Sequence, residues 1–330
     1  MISYILRRVI YMILLMWLLT VVSFVIIQLP KGDYVSTIAL KLSIRGEEVS
    51  KELLDGLRRR YGLDRPVHVQ YLKWFGNVLR GEFGHSFLLG KPVHEIIGER
   101  LALTMLISLC SLAFTYCMSI PIGIYSATHQ YRPGDYLFMV VGFIGLATPN
   151  FLLAIIFMFF SLELGMSVGG LFSPEYMRGG WSLGKLVDLA KHLPLPVVIV
   201  GTAGTAGLIR IMRGQLLDEL ERQYVITARA KGVSEGALLF KYPVRVAINP
   251  MISTVGWLLP TIVSGEVIVS LVLGLPTVGP LLFTALTSED MFLAATLLLF
   301  LNFLTVVGTL ISDILLTLVD PRIRFTEQTA

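Results

Sequence analysis

Charge is missing from long stretches of this chain. Val9 to Leu29 carries none over 21 residues, Leu101 to Thr128 none over 28, and Tyr136 to Leu162 none over 27. A helix crosses the hydrocarbon core of a bilayer in about 20 apolar residues, so each stretch is long enough to span. Three more follow. Leu193 to Ile209 is shorter and rich in small residues, Ile248 to Leu275 is interrupted only by Glu266, and Met291 to Val319 only by Asp313. The pattern predicts an all-α, polytopic membrane protein with six transmembrane helices. Composition agrees: 55% of residues are hydrophobic and 15% charged, against about 25% charged in a soluble domain, and the mean hydropathy is +0.74. This excludes a disordered chain and argues against an ordinary cytosolic enzyme.

The first apolar run follows Arg7-Arg8, as a secretory signal would. It is longer than the roughly 7–15 residues of a signal's apolar region, and no small-residue cleavage site follows it, so it is read as a retained helix. Orientation follows from Lys and Arg near helix ends. Arg213 to Arg245 holds six of them, whereas Pro276 to Asp290 holds none and two acids. The former is therefore expected in the cytoplasm and the latter outside. The N-terminal Arg pair and Arg322 with Arg324 then both lie inside, as six spans require. Lys31 to Arg100 carries twelve basic residues and must lie outside. A segment of that length translocates largely regardless of charge.

The expected organisation has four parts: a first transmembrane helix over 1–30, a small helical extracytoplasmic segment over 31–100, a core over 101–320 and a cytoplasmic tail over 321–330. In the outside segment, Val49, Leu53, Leu57 and Tyr61 recur at helical spacing within an amphipathic Glu47–Tyr61, and a second helix is predicted over Val67–Leu79. Its cationic run Arg58-Arg59-Arg60 is either a solvated helix face or a surface for an acidic partner. Within the core, a cytoplasmic loop at about 214–247 reads as a short helix pair. Tyr224 to Ala230 is helix-forming, Gly232 is a stop, and Ser234-Glu235 is a restart. The small residues Ala228, Ala230 and Gly232 suit either a partner's groove or local packing.

No motif for catalysis emerges. Gly179 to Lys185 follows the phosphate-binding loop pattern until Leu186 stands where a Ser or Thr must bind magnesium, and no strand precedes it. The five histidines show no metal-ligand spacing, no nucleophile elbow is present, and nucleic-acid signatures are missing. Cys110 and Cys117 are seven residues apart, about 10.5 Å of helical rise, too far to bridge. The remaining signals are polar groups inside apolar stretches. Glu266, with Ser264 beside it, is a candidate for lining a solute path, or else pairs with another helix. Asp313 is expected to snorkel or pair. Asn150 and Asn302 are expected to bond between helices, and Gly201, Gly204 and Gly207 to permit close helix packing.

Several stretches in order carry a resemblance. They are Tyr4-Ile5-Leu6-Arg7-Arg8; Tyr61-Gly62-Leu63-Asp64-Arg65-Pro66 with Gln70-Tyr71 and Trp74; Gly81-Glu82-Phe83-Gly84-His85-Ser86; Tyr224 to Gly232; and Val319-Asp320-Pro321-Arg322-Ile323-Arg324. Over essentially its whole length the sequence resembles the permease subunits of peptide-type (dipeptide, oligopeptide, nickel) ABC importers. The resemblance implies a location in the prokaryotic inner membrane, in contact with lipid and with both termini cytoplasmic. It implies a second homologous permease, two ATP-binding subunits and an extracytoplasmic solute-binding protein as partners. The chain itself then needs no cofactor, since ATP and magnesium belong to the partner ATPases. Tyr224, Thr227, Ala228, Arg229, Ala230, Lys231 and Gly232 correspond to the loop that docks on the ATPase. Ile226 stands where the family's pattern has an acid, so no salt bridge is available from that position. Oligopeptides are the expected substrate and oligosaccharides the alternative. A more distant reading is an ion-coupled secondary transporter using Glu266, which calls for inverted repeats.

Overall fold

The structure is a computed structural model that describes residues 2–28, 35–36, 39, 43–44, 50–61, 63–163, 165, 169–177 and 179–319; the side chains of residues 2–5, 60, 61, 260, 264, 312 and 316–319 fall outside that description. The closing motif Asp320–Arg324 and the side chains of Tyr4 and Ile5 are thus outside the described residues, as are Glu47, Glu48 and Val49 of the predicted amphipathic helix.

The described residues form fourteen α-helices: α1 (Ile2–Ile27), α2 (Lys51–Tyr61), α3 (Val67–Val78), α4 (Val93–Thr128), α5 (Pro133–Ala147), α6 (Asn150–Glu163), α7 (Leu183–His192), α8 (Pro194–Leu220), α9 (Gln223–Ala230), α10 (Glu235–Lys241), α11 (Pro243–Ala247), α12 (Asn249–Leu273), α13 (Val278–Thr287) and α14 (Met291–Val319). Leu6–Ile27, Val93–Thr128, Pro194–Leu220 and Met291–Leu315 are each long and apolar enough to cross a membrane, and there are up to six such spans if two bent pairs each count as one. The protein is all-α and multi-pass.

The bends have local causes. The uncharged stretch from Tyr136 to Leu162 is not one straight helix: α5 and α6 meet at 106°. Pro149 disfavours the helical region for the residue before it, and Thr148 accordingly adopts φ −89°, ψ 120°. Within α12 the axis turns by 40° between Leu259 and Thr261, at Pro260, which has no N–H to donate to the preceding turn. Pro133, Pro194 and Pro243 stand instead in first turns, where the missing N–H costs nothing.

The chain divides into two compact units, Met1–Leu6 with Thr104–Leu275 and Val307–Ala330, and Arg7–Leu103 with Pro276–Val306. In the second, Phe24 of α1 packs on Tyr71 and Trp74 of α3, with ring centroids 5.4 and 5.6 Å apart. The Thr20 and Tyr71 hydroxyls are 2.9 Å apart. Asn302 donates to Ser23 Oγ at 3.1 Å, as its position in an apolar helix led us to expect. A fully buried Asp290 closes this unit: its carboxylate accepts from Ser86 Oγ (2.6 Å), Leu88 N (3.0 Å) and Leu293 N (3.3 Å). Burial pushes its carboxyl above the usual range, against the pull of these donors.

The first unit is organised around α8, which packs against α5, α6, α11 and α12. A Cβ on Gly201 would come within 2.6 Å of Phe114 and 3.1 Å of Ser111 O on α4, and one on Gly204 within 2.9 Å of Leu258 on α12. Thr115 Oγ1 uses the closeness, lying 3.0 Å from Gly201 O. Gly207 departs from the expectation of close packing, because nothing lies within 4 Å of its would-be Cβ. The pair makes a discriminating test. Gly201→Ala should lower thermal stability by about 1–3 kcal/mol through overpacking. Gly207→Ala should leave it unchanged or raise it by up to about 1 kcal/mol through helix propensity. Melting of the detergent-solubilised protein measures both.

Candidate functional site

The segment between α8 and α12 is a self-contained structure. Helix α9 ends in a glycine cap: Gly232 N donates to Arg229 O at 3.0 Å and Val233 N to Ala228 O at 3.3 Å, with Gly232 at φ +79°. These two bonds, with a left-handed residue just past the helix end and an apolar contact beyond it, make up a Schellman motif. Val233 supplies the contact, packing with Tyr242 against buried Val225, Ala228 and Leu238. Ser234 then precedes α10, whose first residue, Glu235, is an acid at the positive end of the helix. The stop and restart expected at Gly232 and Ser234-Glu235 are both present.

Local packing takes one side of this pair and leaves the other open. Ala228 is buried against Leu238. Tyr224, Thr227, Arg229, Ala230, Lys231 and Gly232 are exposed. Thr227 Oγ1 returns to Gln223 O at 2.8 Å. Arg229 makes a two-pronged bond to Glu235, Nε to Oε1 at 2.6 Å and Nη2 to Oε2 at 3.1 Å, tying the two helices together. Tyr224 donates its hydroxyl proton to Glu219 at the end of α8. Partial burial, followed by the Glu219 carboxylate, pushes its phenol up to about 12, so it stays a donor. Ile226, where the resembling loop has an acid, is exposed.

Glu266 lies elsewhere, in the second half of α12, with no exposed surface. Its backbone oxygen accepts from Ser270 Oγ at 2.7 Å. The side chain of Ser264 lies outside the described residues. The adjacent Gly265 faces α6, where a Cβ would sit 3.2 Å from Asn150 Nδ2. The phosphate-loop near-match resolves into packing: Lys185 Nζ donates to Gly179 O at 3.2 Å and stands 4.7 and 5.0 Å over the rings of Phe172 and Trp181. Among the described residues no group of three or more His, Cys, Asp or Glu is placed to hold a metal ion. An ion pair between fully buried Asp135 and half-buried Arg213 was overlooked in the sequence. The signal available was an acid two residues after Pro133, at the start of an apolar helix.

The Arg229–Glu235 bond holds the glutamate carboxyl below its usual range. A depressed carboxylate pKa adds stability above the unfolded value, and that stability is lost as pH falls through the folded one. Amide-exchange protection of residues 224–240 should therefore fall on acidification through and below the ordinary carboxylate range. In Glu235→Gln it should start lower and lose this dependence.

The comparisons with known proteins cover almost the whole chain. The profile of the "Binding-protein-dependent transport system inner membrane component" family matches residues 119–325, and that of the corresponding N-terminal region matches residues 1–110. The chain is 36% identical to the oligopeptide transport system permease protein AppB of Bacillus subtilis, over 98% of this chain and 99% of that protein. It is 31% identical to a putative peptide permease protein of Brucella ovis over 99% and 100%. A probable peptide ABC transporter permease protein of Sinorhizobium fredii is 30% identical over 98% and 99%. With the spans, the capped loop and these matches together, the chain belongs to the family of inner membrane components of binding-protein-dependent transport systems, as a permease subunit.

Proposed function

We propose that this permease subunit forms half of the path by which an ATP-driven importer carries oligopeptides across a prokaryotic inner membrane. Each relative named above carries "peptide" or "oligopeptide" in its name, which supports peptides as the substrate class; nothing comparable supports oligosaccharides. Six spans with both termini in the cytoplasm, a helical extracytoplasmic segment over 31–100 and a coupling loop at about 214–247 complete the reading. The partners are a second homologous permease, two ATPase subunits that bind ATP and magnesium, and an extracytoplasmic solute-binding protein.

The observation that carries the mechanism is the capped helix pair. Its apolar side is satisfied internally while Tyr224, Thr227, Arg229, Ala230, Lys231 and Gly232 face outward. This is the surface a rigid docking element presents. Movement of the ATPases would push on it, and α8 and α12, to which the loop is joined, would carry the displacement into the membrane. Glu266, enclosed in α12 here, would meet solute only in a conformation where α12 has moved.

Gly232 allows docking to be separated from folding. Its φ of +79° penalises most side chains, whereas nothing lies within 4 Å of its would-be Cβ. Valine there would add strain of about 1–2 kcal/mol, but asparagine tolerates the left-handed region. Gly232→Asn should leave loop protection in hydrogen exchange nearly intact and yet uncouple ATP hydrolysis from peptide uptake in the reconstituted complex. Normal uptake by a complex carrying Gly232→Asn would count against the docking surface. A tagged chain that purifies without ATPases and transports without ATP would overturn the importer reading itself.

A further inference from the structure

Asp135, in the first turn of α5, has no exposed surface. Arg213 of α8 approaches it with two donors, Nε to Oδ1 at 3.1 Å and Nη2 to Oδ2 at 3.0 Å. The Tyr131 N–H donates to Oδ2 at 3.1 Å. Tyr131 is one of two described non-glycine residues with positive φ, at +61°, so the carboxylate also holds a turn that the backbone alone does not favour. The contact continues into α4. A Cβ on Gly123 would lie 2.6 Å from Met212 Cβ and 3.2 Å from Ile209 O, so α4 meets the backbone of α8 within one turn of Arg213. The end of α4, the connecting turn and the start of α5 are therefore fastened to α8.

Arg213 stands seven residues before the last residue of α8, about 10.5 Å along the axis, and Glu219 in between accepts from Tyr224 of the loop. A paired, two-pronged guanidinium–carboxylate bond resists shear in a way a single contact does not, because both nitrogens and both oxygens must separate together. Leaving the buried Asp135 carboxylate without its partner is strongly unfavourable, so the joint transmits motion until it breaks as a whole.

Building on the proposed importer reading, we infer that Asp135 and Arg213 are positioning residues: the joint through which displacement of the 223–241 loop, carried by α8, moves α5 and, across the sharp turn that follows it, α6. Neither residue touches solute or ATP; both act through the helices they join.

The test uses the whole reconstituted complex, with peptide uptake and ATP hydrolysis measured together. Asp135→Asn alone leaves Arg213 unpaired. The double variant Asp135→Asn with Arg213→Gln removes both charges and orphans neither. The double variant should assemble and hydrolyse ATP at close to the normal rate while uptake per ATP falls about fivefold, within the span by which such links alter coupling. Arg213→Lys, which keeps the charge but loses the fork, should fall between it and the normal protein. An assembled double variant with unchanged uptake per ATP overturns the inference. Failure of both Asn-containing variants to assemble also overturns it, because the pair would then serve folding alone. Absence of ATP-dependent uptake in the unaltered complex would instead sink the importer reading.

Discussion

Within the hydrocarbon core no water is present to satisfy a backbone N–H or C=O, so the chain must satisfy its own. Much of this architecture follows from that demand. It explains why the described residues are helical almost throughout and why the exceptions are so local. The 106° turn between α5 and α6 takes only Thr148 and Pro149, and the turned backbone is met at once: Thr148 N donates to Ile144 O, and Leu152 and Leu153 N donate to Pro149 O. Five hydroxyls in the apolar helices obey the same rule. Those of Thr115, Thr202, Thr205, Thr261 and Ser270 each return to the carbonyl four residues earlier. Glycine then does what polar side chains cannot, letting α8 approach α4 and α12 closely enough for dispersion to hold them.

Much of this was legible in the sequence because hydrophobicity and charge vary along a membrane chain on the same length scale as its helices. The apolar stretches, the helix pair over 223–241, the cap at Gly232 and the bond made by Asn302 all follow from local pattern. What was missed depended on one residue's stereochemistry or on partners distant in the chain. Tyr136–Leu162 reads as an uninterrupted span in hydropathy, because Pro149 is apolar and its effect is on the φ and ψ of its neighbour. Arg213 counted as one positive charge among six. Its pairing with Asp135, 78 residues earlier, is a tertiary fact that no periodicity records. Gly207 shows the converse: three glycines at equal steps look alike, yet three-residue spacing drifts around a helix with 3.6 residues per turn, and the third faces open space.

Around the candidate site the same contrast holds at finer scale. Leu238, Leu239 and Phe240 are three bulky apolar residues in a row outside the long apolar stretches. Leu238 is the buried centre of the helix pair, while Phe240 is 61% exposed. Which of the two would turn inward was set by the position of Ser234 at the start of α10, and hence by the phase of that helix. Ala228, grouped by composition with Ala230 and Gly232, falls on the opposite side of α9 and packs inward.

On the proposed docking role, the Schellman cap and the Arg229–Glu235 fork bear on how free energy would divide when this loop meets its partner. A segment that orders only on contact spends part of its association energy on lost conformational entropy. Residues 223–241 are already ordered by contacts within their own span, so that loss is incurred when the chain folds and not each time a partner binds. A larger share of the contact energy would then be available to bend and shift helices, and contact and release would alternate quickly with little reordering at either step. In a machine that repeats one stroke many times, a stiff loop turns association energy into displacement instead of dissipating it in refolding.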